Sequence, residues 1–129
     1  MAVSTTTVTV DPLTGYDETQ KYQIIRGTIA VSASPGTYPT GGYAVSLVGL
    51  TTFAGPVKWC FAWSQPPAAS PNTSVYAYGL NPGTNLSNLA LQIFTGSAAQ
   101  SPGAELSAGA TPAGVSGDTI AFEAWIPKL

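Results

Sequence analysis

Apolar and polar positions alternate with a period of two along several short runs of the chain, which is the spacing of half-buried β-strands. Pro56–Ser64 alternates most clearly: Val57, Trp59, Phe61 and Trp63 fall on one face, Lys58, Cys60 and Ala62 on the other. Asn88–Thr95 places Leu89, Leu91 and Ile93 on one face, and Thr119–Ile126 does the same with Ile120, Phe122, Ala124 and Ile126. Lys21–Ala33 is the longest candidate, with Ile25, Ile29 and Val31 in phase around Gly27. A glycine inside a strand marks a bulge or a close backbone approach. Val3–Val10 is a Thr/Val run stopped by Asp11-Pro12, and Ser74–Tyr78 is a shorter run with Tyr76 and Tyr78 in phase. Tyr43–Leu50 reads either as a strand or, through Leu47, Val48 and Leu50, as a short helical turn.

Between these runs lie Ser34–Gly42, Pro66–Pro71 and Asn81-Pro82-Gly83, and the 14 glycines and 11 prolines interrupt the chain too often for ordinary helices. The pattern predicts an all-β protein, a single-domain β-sandwich or jelly-roll-like fold of about seven or eight short strands. Gly96–Gly117 is long for a structureless loop, and it is expected to hold a short strand near Ala104–Leu106 or to lie on a neighbour. Residues 1–19 read as an N-terminal segment or arm and residues 20–129 as the sandwich domain. About ten residues separate Val10 from the next strand, too many for a tight hairpin. The Thr-rich start therefore either forms an edge strand of its own sheet or pairs with a neighbouring subunit, and the second is favoured.

At 129 residues the chain is one domain with enough length for a core, and 44% of its residues are hydrophobic. Only 8% are charged, against the usual ~25%. The surface must therefore be built from uncharged polar groups, which resist association weakly. Net charge is −2, and the cations Lys21, Arg26, Lys58 and Lys128 are dispersed. Nucleic acid is not an expected partner, because its binding needs a positive footprint. No apolar run approaches a membrane span of ~20 residues. The N-terminus lacks the basic and apolar regions of a signal peptide, so synthesis in a cytoplasm is expected.

The chain contains no histidine, which removes the usual general base and the usual zinc ligand. Cys60 is the only cysteine and sits in an apolar run, so it is expected to be a small buried hydrophobe. The carboxylates are Asp11, Asp17, Glu18, Glu105, Asp118 and Glu123. A pair such as Glu105 and Glu123 would suit glycoside hydrolysis only if it faced a common cleft, and Asp11, Asp17 and Glu18 lack the spacing of a calcium loop. No catalytic, cofactor or metal residues are assigned. Trp59, Phe61, Leu89, Leu91, Ile93, Ile120 and Phe122 are expected in the core. The alternative for Trp59, Phe61 and Trp63 is a stacking platform for sugar rings or a subunit contact. Tyr38, Tyr43, Tyr76 and Tyr78 are of the type that interfaces favour.

The segment Thr37-Tyr-Pro-Thr-Gly-Gly-Tyr-Ala-Val-Ser-Leu-Val-Gly-Leu50 resembles a family of small virion structural proteins of tailed bacteriophages. Members read strand, Tyr-Pro-Thr-Gly-Gly, a polar position, then Leu-Gly-Leu, whose place is taken here by Val48-Gly49-Leu50. Tyr43 stands where that pattern usually carries an acidic residue. The resemblance implies a non-enzymatic capsid decoration (cement) protein on the virion exterior. Its expected partners are the major capsid protein and further copies of itself, as in a trimer. Val3, Val8, Val10, Tyr38, Pro39 and Tyr43 are the candidate interface residues. Two other readings remain: a carbohydrate-binding β-sandwich using Trp59, Trp63 or Trp125, and a tail or head-fibre component. Independently of any resemblance, Tyr38-Pro39 sets an extended approach and Gly41-Gly42 permits a sharp reversal, as a docking loop or simply as a turn.

Overall fold

A computed structural model describes residues 3–32, 36–65, 76–95, 104–111, 115 and 119–128. Among these residues there is no helix. There are eleven strands: β1 Thr6–Val10, β2 Tyr16–Glu18, β3 Tyr22–Val31, β4 Thr37–Tyr38, β5 Tyr43–Val45, β6 Trp59–Gln65, β7 Tyr76–Asn81, β8 Leu89–Thr95, β9 Ala104–Glu105, β10 Gly109–Ala110 and β11 Thr119–Pro127. Six have five residues or more, and the additional short pieces raise the count above seven or eight.

The protein is an all-β, sandwich-like domain. One antiparallel sheet runs β1-β3-β11-β6, with β2 also paired to β3; the other runs β5-β8-β7, with β9 on β8. β4 and β10 form a small ribbon, and Val3 makes a parallel bridge to Thr37. The two sheets close on each other at both sides. On one, the Thr6 hydroxyl donates to the Ala44 carbonyl at 2.7 Å; on the other, the Cys60 thiol donates to the Leu80 carbonyl at 3.0 Å.

The core follows the alternation. Ile25 and Ile29 of β3 and Ile120, Phe122, Ala124 and Ile126 of β11 face Val45, Leu80, Leu89, Leu91 and Ile93 of the other sheet, all buried. Each fully buried aliphatic side chain contributes about 1.5–3 kcal/mol. At the centre of β3, a Cβ on Gly27 would collide with the Thr9 carbonyl, so glycine there reflects close approach of β1.

Three expectations need correction. First, residues 3–19, the described part of the 1–19 segment, do not project as an arm. β1 pairs with Gly27–Val31 and β2 with Gln23–Ile25, along the same edge of β3. The chain manages this through the Asp11–Gly15 loop, where Asp11 Oδ1 accepts from the Leu13 and Thr14 amides and Arg26 opposes the loop. A turn, in which the Thr19 amide donates to the Tyr22 carbonyl, joins β2 to β3. Secondly, Tyr43–Leu50 is not one element: Tyr43–Val45 is strand, and Leu47–Leu50 is a turn closed by the Leu50 amide on the Leu47 carbonyl, with Gly49 at φ 87° rather than in a helical conformation. Thirdly, Trp59 and Phe61 are outside the core, as is Trp63: they are 46%, 54% and 47% exposed. Their strand turns Cys60, Ala62 and Ser64 inward, opposite Ala124, Phe122 and Ile120. With the Leu80 carbonyl 3.0 Å from the Cys60 sulfur, small residues are what that side of β6 accommodates.

The expected strand near Ala104–Leu106 is β9. Asp118 and most of the Gly96–Gly117 stretch lie outside the described residues.

Candidate functional site

The outer face of the larger sheet carries the aromatic residues that the core does not use. Trp59, Phe61 and Trp63 stand in a row on β6, two residues apart, so successive rings are about 7 Å apart along the strand. Trp125 of β11 is opposite Trp59 in register, with Tyr22 near the start of β3 beside both. The Tyr22 and Trp59 ring centroids are 5.3 Å apart, Tyr22 and Trp125 5.9 Å, and Trp59 and Trp125 5.8 Å. Trp125 meets Tyr22 and Trp59 edge to face, at 61° and 79°, the geometry that the aromatic quadrupole favours, and Tyr22 is tilted by 47° against Trp59. The Lys58 ammonium lies 5.9 Å from the Trp59 ring centre, within cation–π range.

A line of charge crosses the same face. Arg26 Nε donates to Glu123 Oε1 at 2.6 Å, and its guanidinium also lies 3.7 Å from Asp17. The Trp125 indole N–H donates to the other Glu123 oxygen at 3.1 Å. Partial burial pulls the Glu123 carboxyl upward, but the hydrogen bonds from Trp125 and Arg26 and the Arg26 charge outweigh it and hold the carboxyl below its ordinary range. Asp11 is also lowered, by the Leu13 and Thr14 amides of its loop.

Between that loop and Trp63 the surface dips into an open depression of about 370 Å³. Thr9, Asp11, Arg26 and Thr28 line it with polar groups, and Trp63 with an aromatic ring.

The six residues singled out from the sequence do not form one surface. Tyr38 and Tyr43 are 1% and 0% exposed and belong to the core, which corrects their assignment to an interface. The Tyr38 hydroxyl donates to Glu105 at 2.9 Å and accepts the Ile93 amide at 3.2 Å; that of Tyr43 lies 3.2 Å from Thr111 Oγ1. Pro39 opens a turn closed by the Gly42 amide on the Pro39 carbonyl, with Gly41 at φ 90° as the third residue of a type II turn requires. Val8 and Val10 pack from β1 onto the core, and only Val3 is largely exposed.

Glu105 belongs to the smaller sheet, whereas Glu123 is on the outer face of the larger one, so the two do not share a cleft. Among the described residues, no three His, Cys, Asp or Glu side chains cluster as metal ligands. The Cys60 thiol is pushed up to about 11 by burial.

What the sequence missed is the direction of β6. The signal was its lack of charge on either face between Trp59 and Gln65, which leaves alternation without a polar side to mark the solvent.

No family model, curated protein or solved structure matches the chain.

Proposed function

We propose that this chain is a non-enzymatic virion structural protein, a decoration protein that binds the outer surface of a phage capsid through the aromatic face of its larger sheet. The observation that carries a binding role is the row of half-exposed rings Trp59, Phe61 and Trp63. Large exposed apolar patches on small proteins mark interaction sites, and Trp, Tyr and Arg dominate the energetics of protein interfaces. The mutual tilt of Tyr22, Trp59 and Trp125 supports a protein partner, because rings inclined by 47–79° present relief rather than one flat plane. The capsid as that partner rests on the Thr37–Leu50 resemblance.

The test is co-sedimentation of the purified chain with capsid shells of the parent phage. Binding should fall at least ~10-fold in Trp63→Asp, which replaces one ring of the row with a charge. Absence of binding by the wild-type chain would remove the capsid reading.

The depression beside Trp63 favours a second reading, carbohydrate binding. A ring wall flanked by Asp11, Arg26 and Thr28 offers stacking together with donors and acceptors for sugar hydroxyls. Retention on immobilised polysaccharide, lost in Trp63→Ala, would support that reading over the first.

A further inference from the structure

Charge gives the aromatic face a direction. Three strands of the larger sheet end side by side at the Tyr22–Trp59–Trp125 cluster. Pro127 of β11 is opposite Tyr22 of β3, the Lys128 amide donates to the Lys21 carbonyl, and the Lys58 amide donates to the Trp125 carbonyl. Lys21, Lys58 and Lys128 therefore gather at one end of the sheet, although they are far apart in sequence. The Lys128 ammonium is 2.9 Å from Glu18. Lys21 and Lys58 pair with no acid among the described residues. Lys58 lies over Trp59, and Lys21 and Lys128 line with Tyr22 an open depression of about 330 Å³. The Tyr22 hydroxyl makes no hydrogen bond within the described residues, so its O–H is free to donate to an incoming acceptor.

The rest of the face has the opposite balance. Arg26 is shared between Glu123 and Asp17, and Asp11, across the depression from Trp63, pairs with no cation. Three lysines thus stand against one carboxylate at the Tyr22 end, and one arginine stands against three carboxylates around Arg26 and its loop. We infer that the protein surface covering this face presents carboxylate side chains to the Tyr22–Trp59 end, where the Lys21 and Lys58 ammonium groups and the Tyr22 hydroxyl receive them. The inference rests on the docking of this face to the capsid shell, and adds the chemistry and orientation of the counterpart. Charge complementarity of this kind steers encounter and fixes orientation. A partner turned end for end sets its carboxylates against Asp11 and Asp17, and like charges brought together oppose that arrangement. The same acids count against a uniformly anionic polymer such as nucleic acid, which would meet them along the face. A local acidic patch on a protein meets only the lysines.

The test is binding of the full-length chain to capsid shells at about 0.05 M and about 0.5 M salt. Wild-type affinity should fall at least ~5-fold between them, because exposed charge pairs are screened. The double variant Lys21→Glu, Lys58→Glu should bind ~10-fold more weakly than the wild type at the lower salt, and nearly equally at the higher. Lys21→Arg with Lys58→Arg keeps both charges and should stay within ~2-fold of the wild type. Circular dichroism checks that each variant is folded, and the salt dependence of the wild type decides the matter if the double Glu variant is not. Shells that do not bind the wild-type chain at either salt overturn the docking reading and this inference with it. Shells that bind the wild type and the double Glu variant alike at both salts overturn this inference alone. Tighter binding by the double Glu variant would mean a basic counterpart and would overturn it too. Binding of the wild type to a short DNA duplex as strong as to shells would assign the lysines to nucleic acid instead.

Discussion

Tyr38 and Tyr43 meet edge to face in the core, with ring centroids 4.9 Å apart and planes inclined by 84°. The Pro39–Gly42 turn brings them together, and residues more than sixty positions away, Glu105 and Thr111, receive their hydroxyls. The motif that drew attention in the sequence is thus an internal fastener, joining the turn to the chain's later segments.

Removing the Tyr38 hydroxyl should weaken the fold. Tyr38→Phe strands the Ile93 amide at a buried position and removes the hydrogen bond to the exposed Glu105, a loss of about 1–3 kcal/mol. Urea unfolding at neutral pH measures it.

The same tyrosine predicts alkaline sensitivity. Burial, with the Glu105 hydrogen bond and charge adding to it, pushes Tyr38 up to about 12, against an ordinary value of 10.0. A folded-state value above the unfolded one means that the neutral phenol stabilises the fold. That stability is complete below about pH 10 and is lost as pH rises through about 12. Tyr43 is raised in the same direction by burial, and Cys60, at about 11, adds a loss that begins lower. Thermal midpoints across pH 8–12 should fall less steeply in Tyr38→Phe than in the wild type.

Two phenylalanines test which face of each strand is inside. Phe122→Ala, at a residue 1% exposed, should cost about 3–5 kcal/mol. Phe61→Ala, at a residue 54% exposed, should cost under about 1.5 kcal/mol, because only about half of its apolar surface is removed from water. Equal costs in chemical denaturation would contradict the orientation of β6.

Deleting residues 2–10 should unfold the domain rather than leave a competent core. β1 satisfies one edge of β3, and its Val8 and Val10 cover the core. Gly27→Ala should act in the same direction but more mildly, by about 1–3 kcal/mol, because a methyl group there forces the Thr9 backbone away. Circular dichroism melts of the two variants distinguish loss of the strand from its displacement.

Much of the fold was legible in the chain. In β3, β8 and β11 the large aliphatic residues share one phase except for Ile24, and one inner face is the arrangement that buries Ile25, Ile29, Leu89, Leu91, Ile93, Ile120 and Phe122 together. The glycine and proline punctuation excluded long helices, and Gly27 marked the close approach of β1. The chemistry available was also bounded by the sequence: no histidine, one cysteine and six scattered carboxylates. Tertiary structure alone decided which side of β6 faces water. Alternation separates two faces but does not say which is inside, and between Trp59 and Gln65 neither face carries a charge to mark the solvent. The choice fell to packing: β7 approaches until the Leu80 carbonyl touches the Cys60 thiol, which leaves room for cysteine, alanine and serine and turns the large rings outward. The tyrosines of the turn followed the opposite course, because the partners that make their burial favourable lie far along the chain, where local sequence carries no record of them.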